Sequence, residues 1–128
     1  MTNIVICIAY IYNINMSDIV FELNERLNNN KERQKEIEKS IDFLPKGHIN
    51  VLNRNGKGYY YLTYRDGKKV KNDYLGAVGK VDLSKTISKL KQRETYIKEL
   101  DELIKEEKTL NKLIKKTKWY FIKVKKIY

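Results

Sequence analysis

The fold is decided by residues 48–75, which read HINVLNRNGKGYYYLTYRDGKKVKNDYL. Asn55-Gly56 and Asp66-Gly67 are strong hairpin signals, because the residues of a tight hairpin turn must tolerate positive φ. Residues 59–64 lie between the two signals and are rich in aromatic and β-branched side chains, which favour strands. The segment therefore predicts a three-stranded antiparallel meander over 48–75.

The first turn predicts a register for its hairpin. A two-residue turn at Asn55-Gly56 pairs Val51 with Tyr60 and Ile49 with Leu62, which gives one coherent apolar face.

The register of the second hairpin depends on the loop length at Asp66-Gly67. A two-residue turn there places Val70 on the opposite face, whereas one extra loop residue returns Val70 and Tyr74 to the apolar face. We favour the longer loop, because the shorter one leaves Lys69 and Lys71 beside Leu62.

The favoured register predicts two unlike faces. The apolar face packs on the helices and carries Ile49, Val51, Tyr60, Leu62, Tyr64, Val70 and Tyr74. The predicted polar face carries His48, Asn50, Arg54, Tyr59, Tyr61, Arg65, Lys69 and Lys71. This second surface mixes basic, aromatic and amide side chains.

Helices are predicted on both sides of the meander, over 18–44 and 83–116. Apolar residues recur in each at alternating steps of three and four, which is the spacing of one helical stripe. Ser17 is the predicted N-cap of the first helix, and Pro45 and Gly47 end it. Asp82 or Ser84 caps the second. Asn30 and Gln34 interrupt the first stripe, so that the helix is either polar there or bent.

These elements predict an α+β fold, a small three-stranded antiparallel meander flanked by two long helices that pack together. Residues 17–116 form a single domain, as expected for 128 residues. Residues 1–16 are interpreted as either a non-native extension, since Met16-Ser17-Asp18 suits a chain start, or an edge-strand extension. Residues 117–128 form a basic aromatic tail, which is either a fourth strand or an extension ordered on binding.

Charge is spread unevenly along the chain. The formal net charge is +11, with +6 in residues 46–80 and +6 in residues 115–128, against −2 in 1–45 and +1 in 81–114. AT-rich codons alone would enrich lysine evenly, so the distribution favours a basic surface that binds a polyanion.

The sequence carries no recognisable catalytic or metal motif. His48 and Cys7 are the only histidine and cysteine, too few for the usual metal sites. Residues 76–80 read GAVGK but lack the first glycine of a phosphate loop, and Val81 stands where Ser or Thr would bind magnesium. We predict a protein that is not an enzyme and needs no cofactor. The single cysteine and the short apolar start at Ile4–Ile14 favour a cytoplasmic location without membrane association.

The candidate binding residues are basic and aromatic. Lysine and arginine neutralise phosphates, and tyrosine stacks on unpaired bases. The candidates are Arg54, Lys57, Tyr59, Tyr61, Arg65, Lys68, Lys69 and Lys71 in the meander, with Lys123, Lys125 and Lys126 in the tail.

Several short motifs resemble those of known proteins. The pattern LPKG at 44–47, GYYYL with YR at 58–65, GKKVK at 67–71 and YLG at 74–76 resembles short uncharacterised basic proteins of AT-rich bacteria and their mobile elements. The layout of 57–90 is also similar to the arm-type DNA-binding domain of tyrosine-family integrases, three strands followed by a helix. In that family the sheet enters the major groove, so the resemblance implies that Tyr61, Arg65, Lys69 and Lys71 lie at the DNA. It implies no recombinase activity.

Three functional hypotheses follow. The first is a non-enzymatic accessory protein of a phage or mobile element that binds DNA or RNA. The second is a small inhibitor, of the anti-CRISPR type, that binds a nucleic-acid-handling protein complex of the host. The third is a coiled-coil assembly module, which would form a homodimer through its helices.

Overall fold

The computed structural model describes the backbone of residues 16–127 and the side chains of residues 17–123. Two helices and three strands follow one another along the chain: α1 (Met16–Asp42), β1 (His48–Arg54), β2 (Lys57–Asp66), β3 (Lys69–Ala77) and α2 (Ser84–Ile127). The strands form one antiparallel sheet in the order β1-β2-β3. The predicted α+β fold is confirmed. The interpretations of residues 1–15 lie outside the described residues.

The chain divides into two compact units. The helical unit contains residues 16–38 of α1 and 99–127 of α2, and the sheet unit contains residues 39–98.

Apolar side chains hold the helical unit together. Leu27 contacts Leu110 and Ile114 in a buried cluster, and Leu23 packs against it. Ile37 is completely buried. The two helices therefore pack together along their apolar stripes, as the sequence predicts.

The helical interface is polar at its middle. Asn30 is buried, and its Nδ2 donates a 2.9 Å hydrogen bond to the carbonyl oxygen of Leu103. Gln34 Nε2 donates both to Asn30 Oδ1, at 2.6 Å, and to Glu107 Oε2, at 2.9 Å. Of the two outcomes expected for Asn30 and Gln34, the polar interface is the one observed. A buried amide that is hydrogen bonded in this way favours one helical register over others.

Both helices have bounds that differ from the predicted ones. α1 begins at Met16, so Ser17 lies inside the helix and is not its N-cap. α2 runs on to Ile127 instead of ending at 116, so the tail is neither a strand nor a separate extension over the described residues. The reason is that Leu110, Ile114 and Thr117 are buried and Phe121 is half-buried, a stripe at helical spacing that continues through the tail.

The first hairpin has the predicted register. Val51 pairs with Tyr60 and Ile49 with Leu62. Asn55 and Gly56 both have positive φ, at 52° and 76°, as a type I′ turn requires.

The second hairpin does not have the predicted register. Its turn is Gly67-Lys68, closed by the pair Asp66 and Lys69, and Gly67 at φ 63° occupies the first turn position as in a type II′ turn. Val70 therefore lies opposite Arg65, and Tyr74 opposite Tyr61, on the face away from Leu62. Hydrophobic patterning sets a register only where a face is buried, and Val70 on this edge strand is 60% exposed.

The same hairpin contains a bulge. Tyr60 pairs with Gly76 and Tyr61 with Tyr74, so Leu75 is the extra residue on β3. Gly76 lies against Val81, since a Cβ at Gly76 would come within 2.6 Å of the Val81 Cβ.

Asp82 caps α2. Its Oδ1 accepts a 2.9 Å hydrogen bond from the backbone N–H of Ser84, which decides between the two predicted caps. This hydrogen bond holds the pKa of the Asp82 carboxyl below its ordinary value.

The cap predicts a pH-dependent stability. The folded-state pKa is lowered, so the stabilisation is present above the unfolded value of about 3.9 and is lost as the pH falls through the lower folded value. We expect Asp82→Ala to melt below wild type near neutral pH, with the difference shrinking as the medium is acidified through the carboxyl range. Thermal melts at several pH values measure this. The control is Asp101→Ala, which removes an exposed carboxylate from within α2 and should melt close to wild type. If the difference in melting temperature between wild type and Asp82→Ala does not change with pH, the charged carboxylate of Asp82 does not stabilise the start of α2.

Over the described residues, neither α1 nor α2 contains an apolar stretch that could span a lipid bilayer.

Candidate functional site

The face of the sheet opposite Leu62 combines cations, tyrosines and amides, and we call it the tyrosine face. Directly paired residues share a face of a sheet, and alternate residues along a strand do so too. The tyrosine face consists of His48, Asn50, Leu52, Arg54, Lys57, Tyr59, Tyr61, Thr63, Arg65, Val70, Asn72, Tyr74 and Ala77.

Three tyrosines form a cluster on this face. The Tyr74 ring meets the Tyr61 ring edge-to-face with a centroid distance of 5.5 Å, and it lies 6.2 Å from the Tyr59 ring at a tilt of 48°. Tyr59 and Tyr61 are half-buried, whereas Tyr74 is 60% exposed. One aromatic surface is thus presented to solvent by residues from two adjacent strands.

The cluster borders a shallow concavity of about 470 Å³. The remaining walls come from the β1–β2 hairpin and contain Arg54, Asn55 and Lys57. Arg54 and Lys57 are a directly opposed pair, which places both cations at the tip of the hairpin beside the tyrosines. Like charges directly opposite each other repel in a sheet, and a bound anion would reduce the repulsion between Arg54 and Lys57.

A row of polar side chains crosses all three strands next to the tyrosines. Asn50 Nδ2 donates to Thr63 Oγ1 at 2.8 Å, and Thr63 Oγ1 donates to Asn72 Oδ1 at 2.6 Å. These bonds link neighbouring side chains across the sheet and so order this part of the tyrosine face.

The structure brings together part of the predicted binding set. Arg54, Lys57, Tyr59 and Tyr61 lie side by side around the concavity. Arg65 shares their face but lies eight residues along β2 from Lys57, a distance of about 26 Å at ~3.3 Å per residue. Lys68 lies in the Gly67-Lys68 turn.

Lys69 and Lys71 are not on the tyrosine face, which corrects their predicted position. They pair with Asp66 and Tyr64, on the face of Leu62, because the second hairpin has the register described above. Lys71 Nζ makes a 2.8 Å ion pair with Asp66 Oδ2. Their hydrogen bond lowers the pKa of the Asp66 carboxyl and raises the pKa of Lys71. Lys71 therefore contacts a neighbour within its own hairpin and not the tyrosine face.

The tail lysines belong to α2 and not to the sheet. Lys123 Nζ lies 4.7 Å from the centroid of the Trp119 ring, a cation–π contact on the surface of the helical unit. The side chains of Lys125 and Lys126 lie outside the described residues.

Sequence reasoning missed Tyr74, which it placed among the packed residues. The signal that could have found it is Gly67, because a glycine at the first position of a two-residue loop is typical of a type II′ turn. A turn at Gly67-Lys68 puts Tyr74 opposite Tyr61 by simple counting.

Among residues 17–123, no three His, Cys, Asp or Glu side chains are grouped so that they could hold a metal ion.

Residues 24–85 match the model of a family described as a domain of unknown function (DUF6788). The match covers just under half of the chain and includes the entire sheet, with both hairpins. No curated protein and no solved structure matches the chain. The family description states no activity.

Proposed function

We propose that this protein is a non-enzymatic nucleic-acid-binding protein whose binding surface is the tyrosine face. The observation that carries the proposal is the concavity in which Arg54 and Lys57 stand beside Tyr59, Tyr61 and Tyr74. Cations bind phosphates and aromatic rings bind bases, and nucleic-acid-binding surfaces combine the two. Residues 46–80 carry a net charge of +6, and three of their cations, Arg54, Lys57 and Arg65, lie on the tyrosine face.

A second candidate is the inhibitor that binds a nucleic-acid-handling protein complex. Leu52 and Val70, exposed by 41% and 60%, lie on the same face as the cations and support it. Exposed apolar side chains add nothing to phosphate binding but are usual in protein interfaces.

Salt dependence tests whether Arg54 and Lys57 contact phosphates. The affinity of a protein for nucleic acid falls with salt by a log–log slope of about −0.9 per phosphate neutralised on duplex and about −0.7 on single strands. We expect the double variant Arg54→Ala/Lys57→Ala to flatten the slope by about 1.5 units while the domain stays folded. Fluorescence anisotropy of labelled DNA and RNA oligonucleotides over a salt series measures the slope.

The chain offers a matched control in Lys69→Ala/Lys71→Ala. This variant removes the same charge from the same sheet but from the opposite face, so we expect an unchanged slope. Equal flattening by both double variants would show that net charge and not the tyrosine face governs binding. If no oligonucleotide binds tighter than about 100 μM at physiological salt, the generic non-specific level, then the proposal is wrong. The inhibitor hypothesis would then replace it.

A further inference from the structure

We infer that the tyrosine face selects unpaired bases, so that its ligand is single-stranded nucleic acid and not duplex. This inference rests on the proposed function and concerns the kind of nucleic acid bound. Three observations lead to it: the number of cations on the face, their positions, and the exposed ring of Tyr74.

The tyrosine face has few cations for a duplex. Arg54, Lys57 and Arg65 are its only lysines and arginines among the described residues, because Lys69 and Lys71 lie on the other face. Duplex DNA carries one negative charge per about 1.7 Å of its axis, and phosphate contacts supply nearly all of its non-specific affinity. Three cations spread along one sheet face give a small electrostatic contribution.

The cations are also poorly placed to follow two phosphate backbones. Arg54 and Lys57 share one end of the face and Arg65 lies at the other, about 26 Å away. Between these ends the face presents tyrosines and the hydrogen-bonded row Asn50, Thr63 and Asn72, which are all uncharged. A backbone lying across this middle region would meet no cation.

What the middle region offers is aromatic surface. Tyr74 exposes 60% of its surface, and Tyr61 supports it through an edge-to-face contact at 5.5 Å. A ring held in this way can stack on a base, but the bases of a duplex are already stacked on each other and show only their edges. Only an unpaired base can use this surface.

The concavity fits one such base beside its phosphate. Its volume of about 470 Å³ lies within the range of small-ligand sites, and tyrosine rings and the two hairpin cations share its walls. We place a base against the Tyr74 and Tyr61 rings and the neighbouring phosphate at Arg54 and Lys57.

The test compares Tyr74→Leu with Tyr74→Phe. Leucine keeps an apolar side chain but loses the ring, whereas phenylalanine keeps the ring and loses only the hydroxyl. Loss of one stacking contact should weaken single-strand binding about 5- to 150-fold for Tyr74→Leu, and Tyr74→Phe should stay within about 2-fold of wild type. Because Tyr74 is largely exposed, both variants should melt close to wild type.

Four probes of equal length, roughly 20 nucleotides, separate the possible sources of affinity: single-stranded DNA, single-stranded RNA, duplex DNA, and a single strand with abasic sites throughout. We expect wild type to prefer the single strands to the duplex. Tyr74→Leu should have little effect on the duplex or on the abasic strand, which keeps every phosphate but has no base to stack. A selective loss with either the DNA or the RNA strand supports the inference and identifies which of them is bound.

Two results would overturn the inference while leaving the proposed function intact. One is tighter binding of the duplex than of either single strand. The other is an equal effect of Tyr74→Leu on intact and abasic strands. The absence of binding to all four probes would instead remove the proposed function, so the two failures are distinguishable.

Discussion

Replacing Gly47 with alanine is expected to destabilise the sheet unit by more than about 3 kcal/mol, through backbone strain together with a clash against the central strand. Gly47 has φ at 109°, a conformation that L side chains rarely adopt. A Cβ at this position would overlap the carbonyl oxygen of Thr63 and lie 2.9 Å from the Tyr64 Cβ. Both residues belong to β2, which is paired on both sides and cannot move aside easily. Urea unfolding at constant m value measures the loss.

Gly67 provides the matched control for Gly47. It also has positive φ, at 63°, but a Cβ there would have no atom within 4 Å. Gly67→Ala should therefore lower the free energy of unfolding by about 1–2 kcal/mol, the cost of a left-handed conformation for an L residue. If the two variants lost equal free energy of unfolding, the close approach of residue 47 to β2 would not explain the effect of Gly47→Ala.

Truncating Ile37 to alanine is expected to lower the free energy of unfolding by about 2–5 kcal/mol, the usual range for a fully buried isoleucine. Ile37 has no exposed surface and lies on α1 within the helical unit. The loss combines the missing hydrophobic burial with the cavity left behind. Chemical denaturation followed by circular dichroism at 222 nm, where helices dominate the signal, is the measurement.

Ile122→Ala is the control for this second prediction. Ile122 lies in the same unit on α2 and is 56% exposed, so its truncation should cost no more than about 1 kcal/mol. A small loss at Ile37, similar to that at Ile122, would show that the helical interface is loosely packed around residue 37.

The candidate site was only partly predictable from the sequence. Arg54, Lys57, Tyr59 and Tyr61 belong to the first hairpin, whose register follows from Asn55-Gly56 by counting. Lys69, Lys71 and Tyr74 belong to the second, and each lies on the face opposite to the one predicted. A one-residue change of loop register moves every side chain of a strand to the other face, so a single wrong turn misplaces all three. In the observed register the tyrosine face lacks Lys69 and Lys71 and contains Tyr74, and the inferred preference for single strands depends on this difference.

The sequence by itself determined the two hairpins, the two long helices and the register of β1 with β2. Each follows from residues close in sequence, such as the positive φ that Asn55 and Gly56 tolerate. The folded structure was needed to decide the register of β3, where the turn at Gly67 conflicts with the apolar pattern, and to decide between a polar and a bent middle of α1. It also decided the length of α2. On β3 the expected burial of Val70 does not occur, and the turn at Gly67 prevails. Near the end of α2, Thr117 is buried in the folded helical unit. Because threonine is polar, the apolar pattern of the sequence does not show that this position belongs to the buried stripe.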